Sequence, residues 1–282
     1  MIVSFHPLFE ADRNIICAGR EPDADDLAAV KAARAVILPQ GCRQSLYEMA
    51  RKNCEHVFPD YKARFDFPGK IGQIRLFRET NTAHPQTELF SSVADFKRHH
   101  AKDPADGRFG LPCVFKFDWG GEGETVYLIK TPADLKEILG KAAEFEQSGQ
   151  KGFLLQQYIP ADGKTLRVII IGETLISYWR IQQSSDGFMS SVSRGARIDS
   201  VSQPELQNAA KDLVHDCCQK TGINLAGFDV IFSAQGQIMQ PLLLEINYFF
   251  GRKGLGGSQA YYKILKREIN RWIANALSEQ HK

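Results

Sequence analysis

The sequence carries almost no net charge: 35 Lys and Arg stand against 33 Asp and Glu, a formal +2. It has no Lys/Arg tract with interleaved aromatics, so nothing points to nucleic acid. No apolar run approaches the roughly eighteen residues that a membrane span needs. The opening stretch MIVSFHPLF lacks a basic region and a long apolar core, and reads as a first strand rather than a signal peptide. None of the six cysteines (Cys17, Cys42, Cys54, Cys113, Cys217, Cys218) are spaced C-x-x-C. Reduced thiols in a cytoplasmic protein are expected, and zinc is not. The seven histidines show no metal-ligand spacing. No Ser–His–Asp or Cys–His set stands out, no G-x-G-x-x-G supports dinucleotide binding, and there are no repeats or low-complexity segments.

What is present is ordinary globular material, 43% hydrophobic and 24% charged over 282 residues, enough for one large or two to three compact domains. The first sixty residues alternate short apolar runs (IVSF, NIICAG, AVILP, HVFP) with helical stretches, DADDLAAVKAARA and RQSLYEMARKN. The first helix is expected to be capped by Asp23 or Asp25. Such alternation predicts a small parallel α/β unit. FPDYKARFDFPGK breaks the pattern and marks a boundary. A middle segment to about residue 152 holds CVFKFDW, ETVYLI and a helix from TPADL onward. A strand-rich last segment ends in a helix whose stripe of Tyr261, Ile264, Leu265, Ile269, Trp272, Ile273 and Leu277 reads as core packing.

Several polar residues sit where apolar ones belong. Lys116 lies inside the apolar strand VFKF, where an unpaired ammonium is costly to bury. A glycine turn with Gly120, Gly121 and Gly123 follows, able to bring backbone N–H groups close to an anion. A lysine reaching out of an edge strand is the plain alternative. In LRVIIIGETLISYWRIQ a tight turn at Gly172–Glu173 or Glu173–Thr174 puts Arg167 and Arg180 on one face, opposite or nearly so. Like charges there repel. Either an anion such as phosphate or carboxylate lies between them, or they splay to solvent or pair with nearby acids. Asp229 interrupts the apolar AGFDVIFS. In LLLEIN, Glu245 and Asn247 share a strand face, being two apart. Asp229 and Glu245 stand on consecutive strands, with Pro241 implying a bulge. Two carboxylates and an amide form an all-oxygen set suited to Mg²⁺, and with the cations nearby they make a pattern that ATP·Mg would satisfy.

In chain order, Lys70, Lys116 with its glycine loop, LLQQYI, TLRVIIIG, a hairpin arginine, SRGA, AGFDVI and LLEIN resemble the ATP-grasp superfamily, in its RimK and glutathione synthetase type of carboxylate–amine ligase. The resemblance covers roughly residues 61–275, and AGFDVI with LLEIN is its most specific part. It implies an α/β (α+β) ATP-grasp fold, with two subdomains (61–152 and 153–282) clasping ATP behind a shortened Rossmann-like α/β domain (1–60). It further implies that Lys70 (or the neighbouring Lys62) and Lys116 contact ATP phosphates, and that the loop from Trp119 to Glu124, with Gly120, Gly121, Glu122 and Gly123, closes over the triphosphate. Gln157, Tyr158 and Ile159 would form the hinge at the adenine edge. Asp229, Glu245 and Asn247 would hold Mg²⁺ or Mn²⁺, and Arg180 and Arg194, with Arg167 beside them, would face the γ-phosphate and the acyl substrate.

The departures are Gln157 where the family commonly has Glu, Thr165 where Asp is frequent, Ser191 where Asn is frequent, and NYFFGRKGLGG in place of N-x-x-P-G, at the place of substrate. The implied partners are a small-molecule or peptide carboxylate and an amine acceptor, with no nucleic acid and no membrane, and a homo-oligomer is compatible with the sequence. The implied reaction joins the two through an acyl phosphate. A phosphotransferase on the same scaffold, or a nucleotide-binding module without turnover, are the alternatives. His6, on the first strand, is not expected to reach substrate.

Overall fold

The computed structural model describes residues 1–17, 19–100, 110–121, 124–182, 196–235 and 238–278. The first unit comprises β1 (Ile2–Ser4), β2 (Arg13–Asn14), α1 (Ala24–Lys31), β3 (Ala35–Ile37), α2 (Gln44–Asn53) and β4 (Val57–Phe58). Its strands are all parallel, in the order β2-β1-β3-β4. Helix α1 starts at a capping box: Asp23 accepts from the backbone N–H groups of Asp25 and Asp26, and Asp26 accepts from that of Asp23, satisfying donors that the first turn leaves open. The run NIICAG contributes only its first residue to β2, because Ile15 donates a single hydrogen bond back to Ser4 before the chain turns away.

The second unit contains α3 (Lys62–Asp66), α4 (Gly69–Glu79), β5 (Thr87–Phe90), α5 (Val93–His99), β6 (Cys113–Phe117), β7 (Val126–Ile129), α6 (Pro132–Gln147) and β8 (Phe153–Gln157). Its sheet is antiparallel, ordered β5-β8-β6-β7. The strand at the head of the segment 153–282 thus lies in the middle of this sheet, between β5 and β6. Phe90, Phe115, Phe117 and Phe153 fill the space between sheet and helices, each contributing about 1.5–3 kcal/mol through burial.

The third unit contains β9 (Lys164–Ile171), β10 (Thr174–Ile181), β11 (Arg197–Asp199), α7 (Pro204–Thr221), β12 (Leu225–Gln235), β13 (Ile238–Asn247), a 3-10 turn at Lys253–Leu255 and α8 (Gly257–Ser278). Its antiparallel order is β11-β10-β9-β12-β13. The hairpin turns at Gly172–Glu173, with Thr174 opposite Ile171. One face of this sheet packs on α4 and α7 through Leu166, Val168, Phe228 and Leu243. The opposite face packs on α8 and the first unit, with Tyr261, Leu265 and Ile269 of the expected stripe fully buried against Ile169, Ile171 and Phe58. Alternation along the strands leaves the charged side chains on that second face. Among the described residues no helix is long and apolar enough to cross a membrane.

Candidate active site

The strand register fixes the charged cluster. Arg167 on β9 lies opposite Asp229 on β12, Asp229 lies opposite Glu245 on β13, and Asn247 lies opposite Gly227. The bulge falls where Leu244 is skipped between the Asp229–Glu245 and Val230–Leu243 pairs, while Pro241 sits in regular register opposite Phe232. Pro241 needs no bulge, because β13 is an edge strand and a missing N–H costs nothing on its outer side.

The anion between the two arginines comes from the chain itself. Arg167 donates through Nε and Nη2 to the two oxygens of Asp229 at 2.6 and 3.3 Å. Arg180 Nη2 lies 2.8 Å from Asp229 Oδ1. Thr165, directly across from Arg180, accepts from its Nε and Nη2 at 3.2 and 2.9 Å. Burial works to raise the Asp229 carboxyl, but the guanidiniums of Arg167 and Arg180 outweigh it and hold the group below the usual carboxylate range. Glu245 is different. Burial and the neighbouring Asp229 push it above the usual range, against the pull of Lys116, Lys70 and Arg167. No described residue donates a hydrogen bond to it. Gly227 is required here, since a Cβ would stand 2.9 Å from Arg167 Nη1 and 3.2 Å from Phe250 Cβ.

The second sheet faces this cluster with lysines. Burial lowers Lys116 to about 8, with Glu245 pulling the other way and Lys70 adding to the fall. Its ammonium has no hydrogen-bond acceptor among the described residues. Lys70, in the first turn of α4, donates to the carbonyls of Trp119 and Gly120 at 3.0 and 2.9 Å and approaches Thr125 Oγ1 at 3.5 Å. It thus ties down the start of the glycine loop. Lys62 instead pairs with Asp66 on the exposed side of α3, so of the two lysines only Lys70 lies at the cluster. Gly120 has φ +81 and leaves no room for a Cβ, which would meet Thr125 Cγ2 at 2.4 Å. Gly121 follows it in open space. Glu122, Gly123 and Arg194, as well as Ser191, lie outside the described residues.

At the hinge, the Gln157 backbone N–H donates to the Gln86 carbonyl at 2.8 Å, and Tyr158 carries the chain out of the sheet. Ile159 joins Ile231 and Leu242, with Ala83, Ala161 and Leu244 against them, as an apolar wall between the sheets. Two contributors were not singled out in the sequence. Gln73 on α4 clamps β13, its amide bonded to both the carbonyl (2.9 Å) and the N–H (2.8 Å) of Ile246, between Glu245 and Asn247. Asp118 accepts from the Ile71 N–H at 2.7 Å and orients α4 under the loop. Thr165 was read as a departure and proves to be an acceptor for Arg180. The acid in FDWGG was a readable signal for Asp118; a helical glutamine carries none.

Among the described residues no three His, Cys, Asp or Glu side chains gather around one point. The candidate metal set is two carboxylates and an amide. Glu245 is half-buried, without a donor among the described residues, and beside a second carboxylate, an arrangement that a divalent cation would neutralise. Asn247 Nδ2 lies 3.4 Å from Asp229 Oδ2, which leaves its carbonyl oxygen available. The oxygen-only chemistry fits Mg²⁺ or Mn²⁺, with Asp229 shared between the cation and its arginines.

A family model described as a RimK-like ATP-grasp domain matches residues 70–273. The chain is 27% identical over 187 residues to a probable alpha-L-glutamate ligase 1 of Shewanella frigidimarina, a match covering 66% of this chain and 57% of that relative. The chain therefore spans just over half of that relative's length, and less of others. A RimK domain ATP-grasp protein from Sphaerobacter thermophilus superposes with a TM-score of 0.59 at 14% identity, covering 95% of this chain and 98% of that one. The VanG D-Ala:D-Ser ligase of Enterococcus faecalis superposes with a TM-score of 0.61 at 14% identity, covering 85% and 73%. At such identities the likeness is one of fold: two α+β units clasping a cleft.

Proposed function

The chain belongs to the RimK-like ATP-grasp family, and on that premise we propose that it is an ATP- and Mg²⁺-dependent carboxylate–amine ligase. The carboxylate substrate attacks the γ-phosphate of ATP, giving an acyl phosphate and ADP. The amine then attacks the acyl carbon, phosphate leaves, and an amide remains. When bound, the metal would supply charge neutralisation to the phosphates. Glu245 and Asn247, together with Asp229, would hold it. Lys116 on the opposite sheet and Lys70 on α4 neutralise phosphate oxygens, and the glycine loop at Gly120 and Gly121 offers backbone N–H groups to the same anion. Arg180, fixed by Thr165 and Asp229, presents its remaining N–H donors to the transferring phosphoryl group, with Arg167 behind it. Ile159 and Leu244 offer an apolar wall to the base, and backbone groups at Gln157–Ile159 offer it an edge. Arg194 completes the expected set. Catalysis of this kind is positioning and electrostatic neutralisation, with no covalent part for the protein.

The observation that carries this reading is the opposition of Lys116 and Glu245: a half-buried cation and a half-buried anion, each lacking a hydrogen-bond partner among the described residues. Phosphate and metal would supply both. A nucleotide-binding module without turnover remains the rival, favoured by one observation, the saturation of Asp229 by two arginines. The test is a phosphate-release screen over paired acids and amines. Turnover needs both substrates under the ligase reading, and Glu245→Gln should lower it at least about a hundredfold with folding stability changed by less than about 1 kcal/mol, since a neutral amide removes repulsion with Asp229. ADP formed without amine and a stable phosphorylated acid would indicate a phosphotransferase. Tight ATP binding without ADP across the panel would indicate the module.

A further inference from the structure

The segment that departs most from the family pattern, residues 247–257, runs from the metal strand to the start of α8. Phe250 lies over Gly227 beside Arg167. Gly254 lies flat on the ring of Tyr178, where a Cβ would come within 2.2 Å of Cε1 and Cζ. Tyr178 is itself opposite Arg167 in the sheet. The segment is thus threaded alongside the arginine cluster and ends one ring away from it. Between these two contacts stands Arg252. Its guanidinium stacks on Tyr261 and Tyr262, at 4.8 and 4.6 Å from the ring centroids. Its one hydrogen bond among the described residues is a long one, to Ser258 Oγ at 3.4 Å. Among the described residues no carboxylate pairs with it. An arginine held rigid between two rings, with its planar fork unmatched, is preorganised for a carboxylate.

A second donor comes from the first unit. His6 follows β1, is 8% exposed, and meets Tyr262 edge-on at 6.3 Å. Its Nδ1 accepts from the Leu8 N–H at 3.1 Å, which leaves the proton on Nε2. Burial and the nearby Arg252 bring it down to about 4, so the ring is neutral at pH 7 and its tautomer is fixed. No described residue accepts from Nε2.

We propose that Arg252 and His6 form a subsite for a non-reacting carboxylate of the substrate, with the Arg252 fork gripping both oxygens and the His6 Nε2–H giving a third contact. The proposal rests on the ligase reading. It also reverses the expectation that His6 lies away from substrate. Lysine would be a poor substitute at position 252, since an ammonium has no fork.

The test is calorimetric titration of the full chain saturated with Mg²⁺ and a non-hydrolysable ATP analogue. Four probes are used: L-glutamate, its γ-amide L-glutamine, its α-amide L-isoglutamine, and glutarate, which lacks the amine. Wild type should bind at least one carboxylate probe about tenfold or more tighter than its amide. Arg252→Gln should lose that factor and the preference together, with nucleotide affinity within about twofold of wild type. Arg252→Lys, which keeps a cation between the rings, should fall between them, and melting temperatures confirm that all variants fold. Binding of glutarate like glutamate assigns the carboxylate to the acid substrate; a need for the amine assigns it to the acceptor. The absence of any carboxylate-over-amide preference in wild type, or its persistence in Arg252→Gln, overturns the subsite while leaving the ligase reading in place. Failure to bind nucleotide overturns the ligase reading and the subsite with it.

Discussion

The two sheets that face each other across the cleft handle charge in opposite ways. In the third unit Asp229 is surrounded: three contacts from Arg167 and Arg180 at 3.3 Å or less hold it ionised, and Thr165 accepts from Nε and Nη2 of Arg180. In the second unit Lys116 has no hydrogen-bond acceptor among the described residues, and burial lowers it to about 8 against the pull of Glu245. On one sheet Asp229 and its two arginines satisfy each other within the chain. On the other, no described residue accepts a hydrogen bond from Lys116. A site built this way keeps its arginines aimed before substrate enters, and it reserves its uncompensated electrostatics for the phosphates.

The strongest way to break this contrast is Asp229→Asn, which strands two buried guanidiniums. Removing one partner of a buried pair typically costs about 3–5 kcal/mol, so the urea midpoint should fall steeply and activity with it; a loss below about 1 kcal/mol would mean that the cluster does not hold the sheet. Lys116→Met should behave in the opposite sense. With the cost of a buried ammonium gone, stability should rise by about 1 kcal/mol at pH 7, while nucleotide affinity drops about ten- to a hundredfold. Lys116 also sets a pH signature in the unliganded protein. Its folded value of about 8 lies below the ordinary 10.5, so between those values the unfolded chain binds more protons and stability climbs with pH. Below pH 8 the penalty is fully present. Denaturation curves from pH 7 to 10.5 should show that climb in wild type and lack it in Lys116→Met. The gentlest probe is Thr165→Val, which takes only the hydroxyl from Arg180. A loss of about 1 kcal/mol and a severalfold fall in turnover, with unchanged affinity for ADP, would separate aiming from binding.

Much of this site was legible because its members violate local expectation. Lys116, Asp229 and Glu245 interrupt apolar strands, and a charge in such a setting advertises either a partner or a ligand. What the chain order concealed was which of the two. Arg167 and Asp229 are 62 residues apart and become neighbours only because β9 lies between β10 and β12, an arrangement set by α7 crossing one face. The bulge was similarly displaced: a proline suggested it, while the skipped residue is Leu244, three positions further on. FLLQQY begins a strand-rich stretch in the sequence, while β8 pairs between β5 and β6; strand richness says nothing of which sheet receives the strand. Gln73 left no trace at all, since a glutamine on a helix looks like solvent-facing surface until a neighbouring backbone uses it.

Helix α4 touches both halves of the cleft within a single turn. At its first turn Lys70 grips the carbonyls of Trp119 and Gly120, and Ile71 is bonded to Asp118; three residues beyond Lys70, Gln73 is bonded on both sides of Ile246. The helix is therefore a brace. One stiff rod thus fastens the start of the glycine loop to the strand bearing Glu245 and Asn247, and fixes the spacing of the two across the site.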